Sequence, residues 1–382
     1  MTWWKTEEEL DDDQKSVMKL PLNKDYVILG PAGSGKTNLL LLRANWLALK
    51  GLKNIAVITF TSTLRDFISQ GGGQYQFALD KIKTMHRWSL DFLREHGVRG
   101  QFDGTFDECR QQLAEAVRGV IASKKIEGAF PCLLLDESQD FTPLEVENFT
   151  TLGKSIFAVA DTRQQIYAGD DKAFKQLCAS ADKIVELKYH YRNGKAICTF
   201  VDALRKDEKA TPPMLDTSRY DEDEAESSFT WTVCGSFDEQ IEAVAQTLAT
   251  QIIAYPTEVI AILCPNNSQV EFVKKVLGSK QIDVDSDYIN VTLGGVEQAG
   301  VFVSTIHSAK GLEFRAAHLV GLEGLLKMPH SRGLVFTACT RVKTSLALYH
   351  TGHINAFLQQ LHQDLYGEEK DVQTSEAFGK LV

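Results

Sequence analysis

Short apolar runs recur along the chain, each bounded by polar or glycine-rich residues and separated by longer stretches of helical periodicity. In the first half they predict strands at 26–29, 54–60, 131–135, 155–160 and 184–188. In the second half they predict strands at 229–234, 258–263, 301–304, 316–321 and 345–350, with helices at 193–206, 237–253, 267–278 and 353–364. Alternating strand and helix is the rhythm of a parallel sheet covered on both faces. Residues 1–20 read as a short amphipathic helix with Leu10, Val17 and Leu20 on its apolar side. Residues 87–130 are helical in pattern and read as an insertion between two strands. The acidic run Asp221-Glu222-Asp223-Glu224 reads as a solvated loop, as charge runs usually are. The expected organisation is two α/β units of similar size, 1–183 and 184–366, followed by a polar tail at 367–382.

Between the first strand and the first long helix lies Gly30-Pro31-Ala32-Gly33-Ser34-Gly35-Lys36-Thr37, which fits G-x-x-x-x-G-K-[ST]. Glycines let a loop turn its N–H groups toward a polyphosphate, and the helix N-terminus adds partial positive charge. Lys36 is expected at the β- and γ-phosphates and the Thr37 hydroxyl at Mg²⁺. The strand–loop–helix flanks separate this motif from an ordinary glycine-rich turn. A second motif follows the apolar run Pro131–Leu135, which ends in Asp136-Glu137-Ser138-Gln139-Asp140. A buried strand stopping at paired acids is the expected partner of a phosphate loop. Asp136 would face the metal, and Glu137 would orient the attacking water or accept its proton. Alone, this second motif is of moderate weight.

Composition narrows the setting. The chain has 382 residues, 43% of them hydrophobic, so it can bury a sizeable core, and its formal net charge is −10. A nucleic-acid binder of this charge must gather its basic groups in a groove or accept modest affinity. The seven cysteines are scattered and form no C-x-x-C pair, so they read as reduced thiols rather than disulfides or zinc ligands. The acidic first residues do not read as a signal peptide, and no apolar run approaches the ~20 residues of a membrane span. A cytoplasmic protein with no membrane role is the expectation.

At Asp-Glu-Ser-Gln-Asp the chain begins to resemble the superfamily 1 helicases of the UvrD/Rep/PcrA kind, and the motif order supports this along nearly its whole length. Leu10-Asp11-Asp12-Asp13-Gln14 resembles the family's Q motif, whose glutamine amide suits the edge of adenine. Thr59-Phe60-Thr61 and Thr84-Met85-His86 resemble motifs Ia and Ib, which line the single-strand path. Asp161-Thr162-Arg163-Gln164-Gln165-Ile166-Tyr167 resembles motif III, and Tyr189-His190-Tyr191-Arg192 resembles motif IV. Ser304–Phe314 resembles motif V, and Thr337-Ala338-Cys339-Thr340-Arg341-Val342-Lys343 resembles motif VI. The resemblance implies two RecA-like P-loop domains with parallel sheets and an ATP cleft between them. It implies that Lys36, Glu137, Gln164, Arg192 and Arg341 carry turnover. Gln14, Gly30, Pro31, Ala32, Gly33, Ser34, Gly35, Thr37 and Glu313 would bind nucleotide, with Thr37 and Asp136 on Mg²⁺. Phe60, Thr61, His86, Tyr167 and His307 would contact DNA. For Phe60, His86 and His307, burial in the core is the competing reading, and Trp88 reads better as buried in the insertion than as a stacking platform.

Three departures from the family pattern shape the functional expectation. The interval between motifs Ib and II is only about fifty residues, too short for a large accessory domain. Ile260–Ser268 resembles the family's strand before its second insertion, and motif V begins only about thirty-five residues later. Gly169-Asp170 stands where the family has Trp-Arg, which removes an aromatic platform for bases, and base stacking is worth ~1–3 kcal/mol per base. Ala160 replaces a motif III glycine. Two functions compete. One is a DNA-stimulated ATPase that translocates 3′ to 5′ on single-stranded DNA, or acts at DNA ends or junctions, and unwinds poorly alone. The other is a regulatory or sensor ATPase that controls a protein partner such as a nuclease.

Overall fold

The computed structural model describes residues 7–59, 76–161, 172–205, 212–285, 300–328 and 330–366. Within these the expected α/β rhythm is realised as two all-parallel sheets. The first contains β1 (Tyr26–Leu29), β2 (Ala56–Thr59), β3 (Ile82–Thr84), β4 (Leu133–Leu135), β5 (Ile156–Ala160) and β6 (Lys183–Glu186) in the order β3-β2-β4-β5-β1-β6. The second contains β7 (Ser228–Cys234), β8 (Val259–Cys264), β9 (Gly300–Thr305), β10 (Phe314–Leu319) and β11 (Val342–Thr351) in the order β7-β11-β10-β8-β9.

Side chains alternate across a strand, so a sheet covered on both sides must be apolar at every position. The inner strands of both sheets show this. Tyr26 and Ile28 enter one core cluster of the first sheet and Val27 the opposite one; Leu134 and its neighbours Leu133 and Leu135 divide in the same way. In the second sheet, Ile260 and Ile262 face one cluster and Ala261 and Leu263 the other.

Several helices begin where their sequences say they should. Thr105 and Glu108 form a reciprocal cap for the helix Phe106–Lys124, and Thr142 and Glu145 do so for Pro143–Leu152. The helices Met85–Glu95 and Phe106–Lys124 make up the expected insertion. Trp88 is 4% exposed there, stacked on Phe92 and edge-on to Phe149, so it is a packing residue.

Three expectations need correction. The boundary between 183 and 184 falls inside β6, which pairs with β1 and completes the edge of the first sheet. The short strand β3 was not predicted, because Lys83 interrupts its apolar pattern and it is only three residues long. The acidic run is not merely solvated. Glu222 accepts from the N–H groups of Lys195 (2.5 Å) and Ser227 (2.7 Å), and Asp221 and Glu224 border the cavity described below.

Candidate functional site

The phosphate-loop motif follows β1 and runs into the helix α2 (Lys36–Leu49). Gly33 and Gly35 adopt φ of 75° and 83°, a left-handed backbone that glycine enters without Cβ strain. The Lys36 ammonium donates to the carbonyls of Gly30 and Pro31, both at 2.8 Å, which folds its side chain back over the loop. Burial lowers the Lys36 pKa, and the charges of Asp161 and Glu137 work against that. The buried Ser34 hydroxyl has no partner among the described residues, a polar atom left inside the turn.

The paired acids follow β4, two strands from β1. The Thr37 hydroxyl lies 3.1 and 3.4 Å from the two Asp136 oxygens. Two oxygen donors facing each other suit a hard divalent cation. Burial, reinforced by the Glu137 charge, raises the Asp136 carboxyl to about 7. Glu137 behaves oppositely. Burial would raise it, but Lys310, Arg341 and Lys36 outweigh burial and hold it down at about 2. Its backbone is left-handed, with φ 49°, a conformation that costs a non-glycine residue about 1–2 kcal/mol. Gln139 donates to Glu137 at 2.7 Å and accepts from the Asp161 N–H at 3.1 Å, so the end of β5 steadies the acid.

The second sheet supplies the facing wall. Arg341, 4% exposed, sits 3.7 Å from Glu137. Arg192 pairs with Glu313 and donates to the Thr340 carbonyl at 3.1 Å. Lys343 reaches the other Glu313 oxygen at 3.6 Å. Asn193 donates to the carbonyls of Thr340 (3.2 Å) and Val342 (2.6 Å), tying the Arg192 segment to the Arg341 segment. Lys310 crosses to pair with Asp140 in the interior. Of these groups, Lys36, Thr37, Asp136, Glu137, Arg192, Glu313, Arg341 and Lys343 line a cavity of about 380 Å³. Its first wall comes from loops after β1 and β4. Its second includes residues at the beginnings of β8, β10 and β11, namely Glu258, Glu313, Arg315, Arg341 and Lys343.

Of the expected nucleotide residues, Gln14, Ala32, Gly33, Gly35, Lys36, Thr37 and Glu313 line this cavity, as do Asp136, Glu137, Arg192 and Arg341, whereas Gly30, Pro31 and Ser34 do not. Gln14 is also engaged inside the protein: its amide nitrogen donates to Ser34 O at 2.9 Å and its oxygen accepts from Asp11 N at 3.1 Å. His86 and His307 are both exposed, which excludes the core reading for each. Phe60, Thr61, Gln164, Tyr167, Gly169 and Asp170 lie outside the described residues. Sequence reasoning assigned no role to Asp140, Asn193 or Lys310; their positions inside or beside the motifs were the available signal.

Two RecA-like units sharing one phosphate-binding cleft define a P-loop ATPase fold. Comparison with known proteins sharpens this. A family model described as an AAA domain matches residues 14–170, and one described as a UvrD-like helicase C-terminal domain matches residues 300–349. The chain is thus similar to an AAA domain in its first half and to the C-terminal domain of UvrD-like helicases in its second. No curated protein matches it. Among solved structures, the PRRSV helicase is similar at 15% identity, with a TM-score of 0.42, over 88% of this chain and 54% of that one. The chain thus spans about half the length of that helicase. No helix among the described residues is long and apolar enough to cross a membrane.

Proposed function

We propose that the chain is an ATP-hydrolysing motor that couples turnover to movement along single-stranded DNA, in the 3′ to 5′ direction. The observation that carries this reading is the single cavity in which Lys36, Thr37, Asp136 and Glu137 meet Arg192 and Arg341 from the other unit. Thr37 and Asp136 would hold Mg²⁺, which would neutralise charge on the terminal phosphates. Lys36 would exchange its two loop carbonyls for phosphate oxygens. Glu137, held ionised by the surrounding cations, accepts the proton of the attacking water. Arg192 and Arg341 stabilise charge on the transferred phosphoryl group. Gln164 senses the γ-phosphate. We take the domain boundary to follow β6, with 187–194 as the connection that carries Arg192.

The strand path would run past Phe60, Thr61, His86, Tyr167 and His307; the exposure of the two histidines supports it. With the accessory domains and the Trp-Arg platform missing from the sequence pattern, grip on the strand is weak. A protein partner supplies the remaining DNA surface, and a nuclease would fit that role. The test is the ATPase rate with Mg²⁺, alone and with single-stranded DNA, duplex DNA or RNA. Selective stimulation by single-stranded DNA is the expected result. A rate indifferent to every nucleic acid would favour the regulatory ATPase instead. In strand displacement on a 3′-tailed duplex, the isolated chain should be slow, and fast processive unwinding would refute the account of weak grip.

A further inference from the structure

Asp11 is the N-cap of the short helix Asp12–Met18. One of its oxygens, Oδ1, accepts from Gln14 N at 2.7 Å, and its own N–H donates to Gln14 Oε1 at 3.1 Å. That reciprocal cap needs one side-chain oxygen, and a serine or threonine would provide it. The second Asp11 oxygen accepts from the hydroxyl of Tyr191, 180 residues along the chain. Tyr191 also donates its main-chain N–H to Gly33 O at 3.1 Å, while Gln14 donates to Ser34 O at 2.9 Å.

These bonds close a ring. It runs from Gly33 through Tyr191, Asp11 and Gln14 to Ser34, the next residue of the phosphate loop. Two consecutive loop carbonyls are therefore held from outside, one by Tyr191 and one by the N-terminal helix. A peptide is planar and trans, so fixing the Ser34 carbonyl in one direction points the Gly35 N–H in the other. There is no slack around the ring. A Cβ on Gly33 would stand 2.5 Å from the Arg192 Cβ, and one on Gly35 would stand 2.8 Å from the Gln14 amide nitrogen. Tyr191 and Gln14 both line the nucleotide cavity as well. Burial, and then the Asp11 carboxylate, raise the Tyr191 pKa, so the phenol is the donor at neutral pH.

We propose that Asp11 is a positioning residue that uses its two oxygens to lock Tyr191 and the phosphate loop into one register, so that docking of the Tyr191–Arg192 segment and shaping of the loop are a single event. This rests on the nucleotide reading of the cleft. It assigns to the second Asp11 oxygen a job distinct from helix capping, and that distinction makes it testable.

Three variants separate the jobs. Tyr191→Phe removes only the hydroxyl. Asp11→Ser keeps the cap and removes the second oxygen. The third combines them. The measurements are equilibrium binding of a fluorescent ATP analogue with Mg²⁺ and steady-state ATP hydrolysis by the full chain. A hydrogen bond to a charged group is worth about tenfold in affinity. Each single variant should therefore bind nucleotide about tenfold more weakly, with KM raised and kcat within about twofold. The double variant should be no weaker than the weaker single, because both remove the same bond. Unchanged KM in Tyr191→Phe, or losses that multiply in the double variant, would overturn the coupling while leaving the nucleotide site intact. A wild-type chain that binds no nucleotide would overturn the coupling together with the reading of the cleft beneath it.

Discussion

Lys310→Met tests how far the two units depend on one buried charge pair. Lys310 and Asp140 are 1% and 0% exposed, and Asp140 lies on the loop that carries Asp136 and Glu137. Removing the ammonium strands a carboxylate in the interior, which typically costs about 3–5 kcal/mol when the charge has no escape. Here it can escape by taking a proton. Burial has already raised Asp140 to about 6 with Lys310 present, so protonating it at pH 7 costs only about 1.4 kcal/mol beyond the wild type, at ~1.36 kcal/mol per pH unit. At pH 5 the carboxyl is already protonated in the wild type, so losing the ammonium costs little there. The expected result in urea unfolding is a loss of about 1–2 kcal/mol at pH 7 that falls to below about 0.5 kcal/mol at pH 5. Asp140 Oδ1 has no partner among the described residues, so the pair is imperfectly satisfied. The double variant Lys310→Met/Asp140→Asn should therefore recover at least about half of the loss. A Lys310→Met chain that loses more than about 3 kcal/mol at pH 7, or one whose loss does not shrink with acid, would refute this reasoning.

The catalytic assignments carry their own tests. Glu137→Gln should still bind ATP but stop hydrolysing it, because an amide cannot accept the water's proton, and a wild-type rate would remove Glu137 from the mechanism. Lys36→Ala should abolish turnover, as measured by phosphate release. Arg192→Ala and Arg341→Ala should each lower kcat by ~10³ or more while changing nucleotide affinity far less; equal losses in both would count against their placement opposite the γ-phosphate. Gly33→Ala places a methyl against Arg192 in a left-handed backbone, so nucleotide binding and hydrolysis should both fall more than about tenfold. Near-normal binding would mean that the loop and Arg192 separate readily.

The parts of the fold that were legible in the sequence are those where local chemistry leaves little choice. The strands β1, β4, β5, β8 and β9 are buried on both faces and so read as unbroken apolar runs. The phosphate loop was readable because its backbone needs glycine at the positions with positive φ. The helix Ser331–Cys339 was missed because Gly333-Leu334-Val335-Phe336 is too uniformly apolar to show a helical period, and it is buried along most of its length. The role of Glu222 was hidden because a charge run reveals nothing about which member finds backbone donors. Lys310 and Asp140 could be seen as members of motifs, but not as partners. Their pairing spans 170 positions and exists only once the two sheets meet.

The two walls of the cleft are built from opposite strand ends: carboxyl ends in the first unit, amino ends in the second. Two like modules are thus stacked by something closer to translation than to a two-fold axis. A two-fold pair would present the same surface twice and could hold two equivalent nucleotides. A head-to-tail pair joins unlike surfaces and makes one site. It also has a sense. The two units present unlike surfaces, so a polymer lying across both would meet a different module first depending on the end from which it enters. That asymmetry lies in which strand ends face the cleft.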